Sequence, residues 1–290
     1  MQWTTSRFSI DLTVPKVMGI VNVTPDSFSD GGQHASTLAA MRHCEKLLAE
    51  GADILDIGGE SSRPGALSLP LADELARVLP LVREAVKLGV PLSVDTYKPQ
   101  VMQAVLDLGA DIINDIWALR WRESSPAPIQ LSGMQVVSQH PSCGICLMHM
   151  HREPQTMQMA PMEGDVLPQV RHLLERIADE LLGLGVEKSR IVIDPGIGFG
   201  KTVAQNFALL ARQQELINSG YPLLAGWSRK SSLAAVAGTS LASVATLDVH
   251  ERMVPSVVAA VLAIERGAMI VRVHDVRETV QAIKVLSAIK

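Results

Sequence analysis

Aromatic side chains are scarce in this sequence: Phe, Tyr and Trp together make up 3% of 290 residues. Any core must therefore be built from Ala, Val, Ile and Leu, and a hydrophobic content of 47% is enough for a large one. Cysteine is sparse as well, and three residues do not make a disulfide framework. No apolar run approaches the ~18 residues of a membrane span. The N-terminus, with Gln2, Thr4, Thr5, Ser6 and Arg7, lacks the apolar centre of a signal peptide. A formal charge of −4 gives no global pull towards nucleic acid or an anionic membrane. These absences point to a soluble cytoplasmic protein that handles small molecules, with any anion site built locally.

What is present is a repeating alternation. Short runs rich in Val, Ile and Leu stand at 17–22, 53–57, 90–94, 111–114, 145–148, 191–194, 223–226 and 269–273. Strands buried on both faces read this way. Amphipathic stretches lie between them, at 35–50, 70–88, 98–109, 163–184, 202–218 and 275–289. Eight strand-then-helix units predict an α/β fold, a (β/α)8 TIM barrel, with an open doubly wound sheet as the alternative. Residues 1–14, with Trp3, Phe8, Ile10 and Leu12, predict a short N-terminal hairpin that plugs one end. No linker or composition break divides the chain, so 1–290 is read as a single domain. Two stretches are irregular: 117–133 in the fourth unit and 239–255 in the seventh.

In such barrels the site lies at the C-terminal ends of the strands. The first strand ends in Asn22 and runs into a loop, Thr24 to Gly32, that holds Phe28 among small polar residues. Such a loop is either a surface crossover or a cover that closes over a ligand. The other strand ends deliver Arg63, Asp95, Asn114-Asp115, His149, Asp194, Ser228-Arg229-Lys230-Ser231, and Arg272 with His274. A lone Asp at a strand end is usually a helix cap, but a ring of polar side chains from distant units is not explained by caps. The ring has two characters. Asp95, Asn114, Asp194 and Lys230 offer acceptors, an amide and an ammonium, which suits the edge of a flat heterocycle. Arg63, Arg272 and His274 come from units two and eight, at the seam where barrels often hold phosphate. The pattern predicts a phosphate-bearing heterocycle bound across the barrel mouth. Asp56 and Glu60 lie near it, as loop braces or as substrate contacts.

Several stretches carry a resemblance. They are Asn22-Val23-Thr24-Pro25-Asp26-Ser27-Phe28-Ser29-Asp30-Gly31-Gly32, Asp56-Ile57-Gly58-Gly59-Glu60-Ser61-Ser62-Arg63-Pro64-Gly65-Ala66, Ser93-Val94-Asp95-Thr96, Ile113-Asn114-Asp115, Leu147-Met148-His149-Met150, Asp194-Pro195-Gly196-Ile197-Gly198-Phe199-Gly200-Lys201, Ser228-Arg229-Lys230-Ser231 and Arg272-Val273-His274-Asp275-Val276. In that order they resemble the dihydropteroate synthases of folate biosynthesis, over nearly the whole chain. The resemblance implies that p-aminobenzoate displaces pyrophosphate from a pterin methylene diphosphate in a dissociative step. It implies that Asp95, Asn114, Asp194 and Lys230 hold the pterin. Asn22, Arg63, Arg272 and His274 would hold the diphosphate and carry the catalysis, with Mg2+ near Asn22. Phe28, Ser62, Pro64, Phe199, Lys230 and Ser231 would shape the p-aminobenzoate pocket. A homodimer is implied too. Ser62 stands where the family usually has Thr, and His151-Arg152-Glu153-Pro154 adds charge where the family more often has Gln and Gly. Two alternatives stay open: a pterin-binding barrel that transfers a methyl group from a folate to a corrinoid, and a non-catalytic pterin-binding paralogue.

Two motifs look like other chemistry. Cys143-Gly144-Ile145-Cys146 has the C-x-x-C spacing, with His140, His149 and His151 nearby, but Cys146 enters an apolar strand where a redox pair opens a helix. The segment Pro195 to Thr202 nearly spells a P-loop, yet Pro195 replaces the first glycine that motif needs.

Overall fold

The chain opens with an antiparallel hairpin, β1 (Gln2–Thr4) and β2 (Ser9–Asp11), with Trp3 opposite Ile10. Eight parallel strands follow: β3 (Lys16–Asn22), β4 (Ile54–Gly58), β5 (Leu92–Asp95), β6 (Ile112–Asp115), β7 (Gly144–Met148), β8 (Ile191–Asp194), β9 (Leu224–Ala225) and β10 (Ile270–Val273). The structure is a computed structural model that describes residues 1–23, 32–122, 131–238 and 247–289, with backbone alone for 32–35. The sheet runs β8-β7-β6-β5-β4-β3-β10-β9, and a bridge between Ile193 and Leu223 joins its two ends. The amide of Ile193 adds a hydrogen bond to the Pro222 carbonyl at 3.0 Å. This is the (β/α)8 barrel, and each strand falls where the apolar runs place it.

Each amphipathic stretch holds a helix, and three further helices, at Gly133–Gln139, Ser231–Ala237 and Met253–Glu265, lie outside those stretches. The helices are α1 (Gly32–Ala49), α2 (Leu71–Ala85), α3 (Pro99–Asp107), α4 (Gly133–Gln139), α5 (Val166–Gly183), α6 (Val203–Ala211), α7 (Gln214–Ile217), α8 (Ser231–Ala237), α9 (Met253–Glu265) and α10 (Val276–Ser287). In the irregular fourth unit α4 is only seven residues long and starts at a capping box between Ser132 and Gln135. Of the two irregular stretches, 123–130 within 117–133 and 239–246 within 239–255 lie outside the described residues. No helix among the described residues is long and apolar enough to cross a membrane.

Strand alternation decides what faces the barrel interior. One apolar cluster holds Met18, Ile54, Ile112, Cys146, Val192, Leu224 and Ile270, one from each of seven strands, together with Trp3. These residues fill the N-terminal half of the barrel. The indole of Trp3 is fully buried there and donates to the Arg190 carbonyl at 2.9 Å, so the hairpin is the expected plug. The neighbouring strand residues, such as Val17, Leu55, Ile113, Leu147, Ile193 and Val271, belong to the outer cluster against the helices. Cys143 and Cys146 therefore sit in different clusters. Cys143 lies 3.2 Å from a guanidinium nitrogen of Arg190, whereas Cys146 points into the barrel.

Candidate active site

Two residues beyond that lower row, each strand contributes a second inward-facing position. The row reads Ile20, Asp56, Asp95, Asn114, Met148, Asp194, Gly226 and Arg272. One further step of two gives Asn22, Ile116, Ser228 and His274 at the rim. A cavity of about 970 Å³ opens over these residues. Asn22, Ser62, Arg63, Pro64, Asp95, Asn114, Asp194, Phe199, Lys230, Ser231, Arg272 and His274 all line it. Every residue expected to hold the pterin, the diphosphate or the aryl ring is thus in one place, except Phe28, which lies outside the described residues.

The expected anion ligand Arg272 has an unexpected position. It is wedged between two carboxylates, with Nε donating to Asp56 Oδ2 at 2.6 Å and Nη2 to Asp95 Oδ2 at 2.8 Å. Only Nη1 and the second Nη2 hydrogen remain for an anion. Arg272 therefore ties the heterocycle-type carboxylates to the seam and is not a free anion grip. Burial works against its charge, but Asp56 and Asp95 outweigh burial and hold it above the ordinary value. Asp56, left open as brace or contact, is the brace: it also accepts from Asn114 Nδ2 at 3.3 Å. Burial pushes Asp95 up to about 7, with Arg272 pulling the other way.

Asp194 ends β8 with Oδ1 accepting the Gly196 amide at 2.7 Å. Its Oδ2 lies on the side of Gly226, where a Cβ would stand 3.7 Å away. Burial raises its pKa, while the Gly196 amide and Lys230 oppose that rise. Burial likewise lowers the Lys230 ammonium to about 8, with Asp194 acting to restore it. That ammonium lies 4.2 Å from the centre of the Phe199 ring, a cation–π contact. Phe199 belongs to an apolar shelf with Ile116, Met148, Met150, Met157 and Tyr97.

The P-loop-like segment is a scaffold. Gly196 has φ +67, and a Cβ there would lie 1.9 Å from the His149 carbonyl oxygen, so the loop needs glycine. Lys201 is buried beneath the loop and donates to Gly196 O at 2.9 Å and Phe199 O at 3.2 Å, with His149 Nδ1 at 3.0 Å. These bonds hold the turn that presents Phe199. His149 and Asp115, which the sequence places in the polar ring, are turned away from the cavity. Asp115 accepts the Trp117 and Leu119 amides, both at 2.7 Å, and steadies positive φ at Ala118 and Leu119. Glu60 lines the cavity but is paired with Lys98 and Tyr97.

Sequence reasoning passed over Ile20, Ile116, Met148 and Gly226, which line the cavity between the polar groups. The strand period would have found most of them, because each lies two or four residues beyond an interior apolar residue. Arg252 also lines the cavity, from a short 3-10 helix (Val249–Arg252) with no strand to index it, and it is engaged with the Leu247 and Arg229 carbonyls.

Strand ends that gather carboxylates, an amide and cations over an apolar floor define a barrel enzyme for a polar heterocycle. The family described as pterin binding enzyme matches residues 18–274, and the chain belongs to it. Within that family it is 45% identical to the dihydropteroate synthase of Neisseria meningitidis serogroup B, over 99% of this chain and 97% of that one. It superposes on the Burkholderia cenocepacia dihydropteroate synthase complexed with 7,8-dihydropteroate with a TM-score of 0.84 and 46% identity, covering 99% of this chain and 96% of that one. The Xanthomonas albilineans dihydropteroate synthase with 4-aminobenzoic acid gives a TM-score of 0.84 and 44% identity, covering 97% and 95%.

Proposed function

We infer that this chain joins 6-hydroxymethyl-7,8-dihydropterin diphosphate to p-aminobenzoate, releasing pyrophosphate and 7,8-dihydropteroate. The observation that carries this reading is one cavity with a deep row of Asp95, Asn114 and Asp194 and a rim that holds the Arg63 cation and the His274 imidazole. The ligands named for the two relatives, 7,8-dihydropteroate and 4-aminobenzoic acid, support it.

The deep row takes the pterin edge. Asp194 Oδ2 accepts ring N–H groups, Asn114 satisfies one donor and one acceptor, and Lys230 donates to a ring oxygen or nitrogen. The C–O bond to the diphosphate breaks, and its electron pair leaves with pyrophosphate. The dihydropterin ring spreads the positive charge left on the methylene carbon. The arylamine lone pair then attacks that carbon, and its surplus proton passes to water. No strong base is needed. The protein's work is to stabilise the departing anion, through Arg63, His274 and the free edge of Arg272. Ser62, Pro64, Phe199, Ser231 and the Lys230 stem would hold the aryl ring.

Mg2+ fits the residues present in one way. Asn22 offers a single neutral oxygen on the cavity wall, and no group of three His, Cys, Asp or Glu suited to a metal exists among the described residues. That donor set suits a hard cation that keeps most of its ligands from water and phosphate. Held by Asn22 and the diphosphate, it would neutralise charge on the leaving group.

Incubating the protein with the pterin diphosphate, Mg2+ and p-aminobenzoate should release pyrophosphate; no release under saturating substrates would overturn the reading. Asp194→Asn keeps the shape but turns an amide N–H towards ring donors once its oxygen takes the Gly196 amide. Pterin affinity by calorimetry should fall by about 1–3 kcal/mol, the cost of a mispaired buried group. An unchanged affinity would remove Asp194 from the pterin edge. Lys230 gives a pH signature. Because burial places its ammonium near 8, the donor charge is lost as pH rises through that value. kcat/KM for the pterin substrate should therefore fall on the alkaline side with an apparent pKa of about 8. Lys230→Arg should flatten that limb at a lower plateau, and a limb that survives the substitution has another source.

A homodimer remains our reading of assembly. On α9, Val254 and Val258 lie one turn apart and stay 63% and 52% exposed, a face that suits a second copy. A monomer by sedimentation at micromolar concentration would exclude it.

A further inference from the structure

Where β9 and β10 reach the rim, two side-chain clasps join them. In the outer one, Arg229 donates from Nη2 to Asp275 Oδ1 at 2.6 Å and from Nε to Oδ2 at 3.2 Å. In the inner one, Ser228 Oγ accepts the backbone amide of His274 at 3.1 Å and lies 3.0 Å from Nδ1 of the same residue. Ser228 is buried, at 7% exposure.

A serine hydroxyl carries one proton. Here its oxygen already accepts from an amide, and Nδ1 is the acceptor within reach of its proton among the described residues. Donation to Nδ1 leaves that nitrogen bare and puts the single proton of a neutral imidazole on Nε2. The opposite arrangement, Nδ1–H donating to Oγ, would leave the serine proton unused and turn a lone pair towards the cavity. The charged groups acting on the ring are Arg229, Arg272 and Arg63 against Asp275. Three cations to one carboxylate oppose a second ring proton. Burial, the larger influence, acts in the same direction and pushes the imidazole down to about 3. The ring is therefore neutral, and what it shows a ligand depends on which nitrogen holds the proton. Nε2 has no partner among the described residues, and His274 lines the cavity.

We propose that Ser228 is a positioning residue that locks neutral His274 in the Nε2–H tautomer, so that the ring donates to the diphosphate and does not set a lone pair against it. The benefit to catalysis rests on the function proposed above; the tautomer itself does not.

Long-range 1H–15N spectra of the substrate-free protein, with His274 assigned through His274→Gln, test it. Wild type should show an unprotonated Nδ1 and a protonated Nε2 that do not change through neutral pH. Ser228→Ala should move both shifts towards the average of two tautomers. It should also weaken pyrophosphate binding in the presence of Mg2+ about 10-fold, the loss of one donor to an anion. Ser228→Thr, which keeps the hydroxyl, should restore both. A wild-type ring protonated on Nδ1, or a Ser228→Ala ring with an unchanged tautomer, overturns the proposal. The wild-type spectrum decides even if the alanine variant does not fold. A protein with the Nε2–H ring but no turnover would instead count against the proposed reaction.

Discussion

Arg272→Met is expected to give a protein that does not turn over and is about 3–5 kcal/mol less stable at neutral pH, the usual cost of breaking a buried ion pair from one side. Arg272 bridges Asp56 and Asp95, and Asp56 Oδ1 already has no hydrogen-bond partner. Removing the guanidinium leaves two carboxylates facing each other in the barrel. Arg272→Lys should fall between, because a point charge cannot span both acids in the geometry of the fork. The defect has a pH sign. Asp95 is raised to about 7 by burial although Arg272 lowers it, so loss of Arg272 must raise it further. A carboxyl raised above its unfolded value contributes stability that is full below about pH 4 and is lost as pH rises through the folded pKa. The deficit of Arg272→Met should therefore be larger near pH 8 than near pH 5, by about 1 kcal/mol. Denaturant titrations at the two pH values measure it. Equal stability of variant and wild type at the alkaline value would mean that the bridge does not carry the load assigned to it.

That bridge also shows where the sequence stops being informative. The eight strands were legible because barrel strands are apolar on both faces, and their ends were legible because polar residues follow abruptly. The deep row was half legible: Asp95, Asn114 and Asp194 stand at strand ends, and the resemblance gave them a role. The partner of Arg272 was not legible. Asp56 lies 216 residues away in the chain, and only closure of the barrel brings the two together. His149 shows the reverse error. It stands at a strand end like the others, but the odd step in the strand period turns it outward, against Lys201. Lys201 itself was read as part of a failed P-loop, when its ammonium binds the carbonyls of its own loop. Loops and single helical turns offer no period to count, so Arg252 at the rim, the tip of the loop after β4 and the setting of Phe28 could not be placed from sequence.

The loop after β4 carries the last expectation: p-aminobenzoate should bind the empty protein very weakly and at least about 10-fold more tightly once pyrophosphate and Mg2+ are present. Both ends of this loop are pinned. Glu60 accepts from Tyr97 at 2.8 Å and pairs with Lys98, which also donates to Glu74 at 2.5 Å. At the far end Ser68 donates to the Tyr97 hydroxyl at 2.9 Å. Between these pins the tip is lightly held. The Gly65 amide reaches the Pro154 carbonyl at 3.0 Å, Arg63 and Pro64 are exposed, and Leu67 is 81% exposed. Segments with few buried contacts are those that move at low cost. Arg63 is the charged residue of this tip, and its neighbours Ser62 and Pro64 are the expected walls of the aryl pocket. An anion at the seam would draw Arg63 inward through charge-assisted hydrogen bonds, and the covalent chain would bring Ser62 and Pro64 with it. Ordering the tip is then driven by the anion, and p-aminobenzoate meets a formed wall. Arg63→Ala should abolish the enhancement while leaving pterin affinity near the wild-type value, since Arg63 belongs to the rim and not to the deep row. Calorimetry with and without pyrophosphate reads the coupling directly. Equal p-aminobenzoate affinity in the two titrations, or an enhancement that survives Arg63→Ala, would show that the pocket wall is set independently of the anion.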